Sequence, residues 1–365
     1  MKKTPAFLGF LRPKKKRGTS ADPATGTNGT PAQTQSDQPS SSPPQVPIPF
    51  PDGVKVLHDC PDASVDLCFV HGLTGDRDST WTAKGQSSPW PGTLLPPSLG
   101  RVRILTYGYD AYVVRKSVAS TNRLRDHANN LLNDLTTDRA ADNASSRPLI
   151  FVAHSLGGLV CKKTILLSRH NPEHHLRAVF DCTKGIVFMG TPHRGSWIAN
   201  WAKLPASVLG LAKSTNKSLL AILETNNEFL ESTQDDFWQM VREQREAGRP
   251  LEVTCFFEEL PLPVVGMVVS RESATLEGYS SLSVHADHRN MVRFASADEN
   301  GFKRLLGELV RWESQIGSQR RAAIDTEDSP AALPVYHYGP VIQNHGNIST
   351  SGQTNIGQHQ YIGMK

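Results

Sequence analysis

The run Pro148-Leu-Ile-Phe-Val-Ala-His154-Ser155-Leu156-Gly157-Gly158-Leu-Val160 sets a serine between an apolar strand pattern and an apolar helix pattern. A serine on a sharp strand-to-helix turn has its hydroxyl pushed outward. Small residues two positions before and after it let the strand and helix approach each other. This is an arrangement for nucleophilic attack. Ala153 occupies the first of those positions, where glycine is the commoner choice, and adds a methyl group in a crowded place. The turn also puts the Leu156 N–H at a helix start, where the helix dipole and an amide donor favour developing negative charge.

Such a serine needs a base, an acid to orient the base, and a second oxyanion donor. The strand pattern ending Phe69-Val70 leads into His71-Gly72-Leu73. There the Leu73 N–H is the expected second donor, with His71 beneath the site to orient the loop and Gly72 to make the turn. His154 and Gly157 are expected to support the elbow. In the order serine, acid, histidine, the acid should follow a later strand. The strand pattern Leu251–Phe257 ends in Glu258-Glu259, and His285-Ala-Asp287-His288 follows. His288 is preferred to His285 as base. Glu258, nearer the strand end, is preferred to Glu259 as acid. Asp287 is a weaker alternative, because adjacent side chains rarely share one hydrogen bond in the required geometry. His285 and His288 have a metal-pair spacing but no third ligand at a telling distance, so no metal or organic cofactor is expected. His193, in Met189-Gly190-Thr191-Pro192-His193-Arg194-Gly195-Ser196, precedes every acid candidate and is read as lining the pocket.

These residues must be positioned by regular elements. Five short apolar runs read as buried strands: 65–70, 102–107, 149–153, 185–189 and 251–257. Helical patterns separate them. One opens near Ser120 or Thr121 with Leu124, Ala128, Leu131, Leu132 and Leu135 on its apolar face. Others cover 156–168, 219–245 and 302–315. Alternation of this kind predicts an α/β fold with a mostly parallel, doubly wound sheet. The interrupted apolar run Trp197–Ala212 reads equally as a cap over the pocket or as core.

Residues 1–47 are expected to be a disordered basic arm, residues 48–318 the folded domain, 319–335 a linker and 336–365 a separate motif. Residues 1–50 hold nine of the 25 prolines and carry seven Lys or Arg against two Asp, so the other 315 residues sum to −1 of the net +4. The basic pI thus describes a tail. A nucleic-acid-binding domain is disfavoured, since the fold has no concentrated positive field. No run of 18 apolar residues marks a membrane span. The N-terminal apolar run is too short for a signal peptide and leads into Lys14–Arg17, not a cleavage site. That basic cluster fits a nuclear-localisation signal, a contact with anionic lipid, or a solubilising tail. The five cysteines are odd in number and unpaired in spacing, which predicts reduced thiols in an intracellular protein.

The middle region resembles the α/β-hydrolase superfamily, in particular the branch holding the serine-active-site-containing protein and the fungal SesB-like lipases. The matching pieces are Phe69-Val-His-Gly-Leu73, Asp126-His-Ala with Leu131-Leu132, Ala153-His-Ser-Leu-Gly-Gly158, Gly190-Thr-Pro-His-Arg-Gly195, Phe256-Phe-Glu258 and Asp287-His288. The resemblance implies a Ser155–His288–Glu258 triad and a serine esterase or lipase acting on acyl esters, membrane phospholipids among them. It also implies peripheral association with the endoplasmic reticulum, mitochondrion or plasma membrane. Residues 329–364 carry no Asp, Glu, Lys or Arg, and Asn347-Ile348 recurs as Asn355-Ile356. Uncharged Asn/Gln-rich segments with regularly spaced β-branched residues can stack as cross-β. This tail resembles the amyloid signalling motifs of effectors controlled by fungal NOD-like receptors. That implies self-assembly through 336–365 and a cell-death or incompatibility role. The contrasting expectation is a catalytically silent scaffold that keeps only the hydrolase fold.

Overall fold

The computed structural model describes residues 51–73, 75–110, 120–194, 227–263 and 265–327. The basic arm, the run Trp197–Ala212 and the motif 336–365 lie outside the described residues.

Seven strands form one sheet: β1 (Gly53–His58), β2 (Val65–Val70), β3 (Val102–Gly108), β4 (Leu149–His154), β5 (Thr183–Met189), β6 (Glu252–Glu258) and β7 (Ser280–Val284). Their order is β1-β3-β2-β4-β5-β6-β7. Only β1 runs antiparallel, pairing with β3; the remaining neighbours are parallel. Each of the five expected strands is present within one or two residues of its predicted bounds. The two added strands are the outermost ones. Their residues are largely half-buried or exposed, so they lack the continuous apolar run that marks a strand covered on both faces.

Helices cover both faces. The described ones are α1 (Pro91–Leu94), α2 (Ser120–Ala141), α3 (Gly157–Arg169), α4 (His174–Cys182), α5 (Asn227–Glu246), α6 (Arg271–Ala274) and α7 (Asn300–Glu327). Side-chain alternation along the strands feeds two cores. Cys68, Val70, Phe151, Ala153, Ile186 and Phe188 pack with Leu131, Leu132, Val160, Phe237 and Met240. Leu67, Phe69, Ile150, Val152, Val187 and Met189 pack on the other face with Trp81, Trp90, Leu305, Leu309 and Trp312. Helix α7 runs well past the predicted Gln315, so residues 319–327, expected to open a linker, are helical. The run Gln319-Arg-Arg-Ala-Ala-Ile324 consists mostly of good helix formers, and the first proline beyond it is Pro330.

The strand order reverses at β2: β3 lies on one side of it and β4 on the other. In an open parallel sheet the crevice beyond the carboxyl ends of the strands at such a reversal is where ligands bind. Here those ends carry His71 and Ser155. The architecture is the α/β-hydrolase fold.

Candidate active site

Ser155 sits between β4 and α3 with φ of +54°, in the left-handed region that a side chain seldom adopts. Conformations of this kind cost on the order of 1–2 kcal/mol outside glycine and persist only where the surroundings fix them. The fixing contacts are visible. The Ser155 N–H donates to the Met189 carbonyl on β5 (2.9 Å), and the Ser155 carbonyl accepts from the Gly158 N–H (3.1 Å). Gly157 closes α3 onto the end of β2: a Cβ there would lie 2.3 Å from the His71 carbonyl oxygen. Ala153 raises no such conflict, because it lies within β4, paired with Val70 and Phe188.

The structure brings Ser155, His288 and Glu258 together. His288 Nε2 lies 3.0 Å from Ser155 Oγ, and His288 Nδ1 lies 2.5 Å from Glu258 Oε2. All three residues are buried. The second carboxylate oxygen of Glu258 accepts the Val268 N–H (2.6 Å) and the Val269 N–H (3.2 Å). Both carboxylate oxygens are thus engaged and the group is held in one orientation, which makes Nδ1 of His288 the protonated nitrogen and leaves Nε2 facing the serine. Glu259 is not part of this chain. It is exposed and pairs with His285 at 2.8 Å, on the solvent side of the same two loops. Asp287 instead accepts from the Arg289 and Asn290 N–H groups and closes the turn behind His288.

Gly72 lies directly against the serine, since a Cβ built on it would approach Ser155 Cβ to 2.8 Å. Leu73 follows directly in the chain and is buried. The Leu156 N–H stands at the start of α3, among the amides that a helix cannot pair internally. His71 is fully buried and stacks on Tyr109, with ring centroids 4.3 Å apart. Its Nε2 accepts the Tyr109 N–H (3.1 Å), so Nδ1 carries the proton and donates to the Gly72 carbonyl (2.7 Å). The Tyr109 hydroxyl in turn donates to the His71 carbonyl (2.9 Å). Tyr109 thus braces the His71-Gly72 turn, a support that sequence reasoning missed. The only signal was its place just after an apolar strand.

Burial lowers the His71 pKa from 6.5 to about 4. The same cause holds His154 and His193 well below the ordinary histidine range. Between pH 6.5 and 4 the unfolded chain binds a proton at His71 that the native state refuses. Stability therefore falls as pH drops through that window, by on the order of 3 kcal/mol from His71 alone. Denaturant titrations at pH 7 and pH 4.5 are expected to show this loss, with a shallower dependence in His71→Gln.

Two further contacts hold His288. His154 Nε2–H donates to the His288 carbonyl (2.9 Å), and the two rings lie 5.0 Å apart. Gly190 follows β5 with φ of +59°, and a Cβ there would lie 2.9 Å from both His288 Cε1 and Met291 Sδ. Gly190→Ala is expected to displace the imidazole and slow the reaction of Ser155 with a fluorophosphonate about 10²-fold, the scale of a roughly 1 Å misplacement. Gly85→Ala is the control. It has comparable backbone strain (φ +84°) but meets nothing within 4 Å, so it should cost stability with little loss of activity. His193, expected to line the pocket, is buried beside α3 and bonded to Lys162.

All five cysteines are buried free thiols. Among the described residues no helix is long and apolar enough to cross a membrane.

No protein-family model matches the chain. Among curated proteins, Protein SERAC1 of Bos taurus is 28% identical over 293 residues, covering 72% of this chain and 41% of the relative. Protein SERAC1 of Homo sapiens is 28% identical over 289 residues, covering 70% and 41%. The chain thus spans about two fifths of the length of the curated relatives it matches. Among solved structures, lipase BlEst2 of Bacillus licheniformis superposes with a TM-score of 0.43 and 16% identity, over 72% of this chain and 95% of that one. A haloalkane dehalogenase variant of Bradyrhizobium elkanii gives 0.41 and 12%, over 74% and 95%.

Proposed function

We propose that the protein is a serine esterase or lipase. The observation that carries this reading is the unbroken chain from Ser155 Oγ through His288 to Glu258 at 3.0 and 2.5 Å, on an elbow strained to positive φ. Ser155 attacks an ester carbonyl while His288 Nε2 takes its proton. Glu258 holds the imidazole tautomer and stabilises its charged form. The Leu73 and Leu156 N–H groups receive the oxyanion, and His288 returns the proton to the departing alkoxide. Water then repeats the sequence on the acyl-enzyme. The substrate class is acyl esters, with phospholipid esters proposed from the lipase-like resemblance. No step requires a metal or organic cofactor.

The test is covalent trapping. Incubation with a fluorophosphonate should add one phosphonyl group to the peptide containing Ser155, and a panel of p-nitrophenyl and glycerophospholipid esters should then define the acyl and head-group preference. A folded protein that is neither modified nor active on any ester would establish the silent scaffold instead.

The same proposal assigns self-assembly to residues 336–365, with seeding by a NOD-like receptor and recruitment of the hydrolase to a membrane in a cell-death response. The support is the uncharged Asn/Gln/Gly/Ile composition of that stretch. A peptide of residues 336–365 is expected to form thioflavin-positive fibrils. A peptide that stays monomeric at high concentration, seeded or not, removes this part of the proposal.

A further inference from the structure

Helix α3 carries a lysine where an apolar residue would be ordinary. Lys162 is completely buried. Its Nζ lies 2.6 Å from His193 Nδ1 and donates to Gln234 Oε1. Three aromatic rings surround the amine, with centroids at 4.7 Å (Phe188), 4.8 Å (Trp238) and 5.4 Å (Phe237). No carboxylate pairs with it among the described residues. Burial holds both the lysine and His193 well below their ordinary pKa values. Burying an amine without an ionic partner is costly, and a Met or Leu of similar volume would avoid that cost. What the amine supplies, and a hydrocarbon cannot, is direction.

That direction is spent on one loop. Gln234, on α5, donates through Nε2 to the Pro192 carbonyl (3.0 Å). His193 is further held by its N–H on the Ser273 carbonyl (2.7 Å) and by Nε2 at 3.5 Å from Cys255 Sγ. The Ser273 hydroxyl donates to the Arg194 carbonyl (2.6 Å). At the near end, Gly190 donates its N–H to the Phe256 carbonyl (2.8 Å) and lies against the His288 ring. The Thr191 side chain fills the space beside Gly158. Residues 190–194 thus run as a taut bracket from beneath the imidazole to the Lys162 amine.

We propose that Lys162 is a positioning residue for the reaction, fixing the 190–194 bracket through His193 and Gln234 and so setting where the His288 ring stands relative to Ser155. The inference rests on the serine-hydrolase reading above. It assigns Lys162 no contact with substrate.

The test uses the full chain carrying Lys162→Met. A folded variant is expected to react with a fluorophosphonate about 10- to 100-fold more slowly. Its kcat on p-nitrophenyl butyrate should fall in step, with KM within about twofold. The ¹⁵N-imidazole resonances of His288 and His193 should both move from their wild-type positions. A folded variant with the wild-type inactivation rate and an unmoved His288 resonance overturns the proposal. Gln234→Leu, which cuts the Pro192 tether and leaves Lys162 beside His193, should give the same changes in smaller measure. If Lys162→Met cannot fold, this second variant decides. If neither folds, the cluster is structural and the positioning role is refuted. Should the wild type itself resist the fluorophosphonate, the hydrolase reading fails on its own account, while the His288 resonance still reports whether Lys162 sets the ring.

Discussion

Ser155→Ala is expected to lower ester turnover on the order of 10⁶-fold and to abolish fluorophosphonate labelling. This is the magnitude for removing a nucleophile whose base and acid then have nothing to act on. The residual rate should reflect substrate binding and the two backbone donors alone. Because the serine occupies the left-handed region at φ +54°, the same site makes a prediction about stability. Ser155→Gly should be as inactive as Ser155→Ala and more stable than it by on the order of 1 kcal/mol, since glycine alone adopts that backbone without steric cost. Denaturant titration of the two inactive variants measures the difference. Equal stabilities would mean that the elbow is not strained.

Glu258→Gln is expected to reduce kcat about 10⁴-fold while leaving the fold intact. The neutral amide can still accept the Val268 and Val269 N–H groups, but it can also turn its NH₂ toward Nδ1 and select the wrong imidazole tautomer. Glu259→Gln should change kcat less than about twofold. Its carboxylate is exposed and bonded to His285, with no bond to the base. Steady-state kinetics of the pair separate the two acids directly. A larger loss in Glu259→Gln than in Glu258→Gln would contradict the hydrogen-bonded chain seen at the site.

The contrast between these two glutamates marks where the sequence stops being sufficient. Both stand at the end of the same apolar run, and either satisfies the order serine, acid, histidine. Adjacent residues on a strand point to opposite faces, and only the assembled sheet decides which face meets His288. The loop after the strand then turns back so that the Val268 and Val269 amides meet the Glu258 carboxylate. Those bonds span 10 and 11 positions and leave no local trace. Lys162 illustrates the same limit from the opposite direction. Read along α3 it breaks an apolar face, and nothing nearby hints at His193 or Gln234, which lie 31 and 72 positions later.

The sequence by itself determined what short-range physics can encode. The five buried strands are continuous apolar runs, and the strand-to-helix turn at Ser155 is a local pattern of small residues. The turn at His71-Gly72-Leu73 was legible as a histidine and a glycine directly after an apolar strand run, and the structure sets Gly72 against Ser155. The tertiary structure alone decided which glutamate meets His288, which way that ring faces, and how Tyr109 packs on His71, Gly190 on His288 and Lys162 on His193. Each of these depends on contacts between segments distant in the chain, and such contacts exist only once the parallel sheet has closed and its loops have been drawn to one edge.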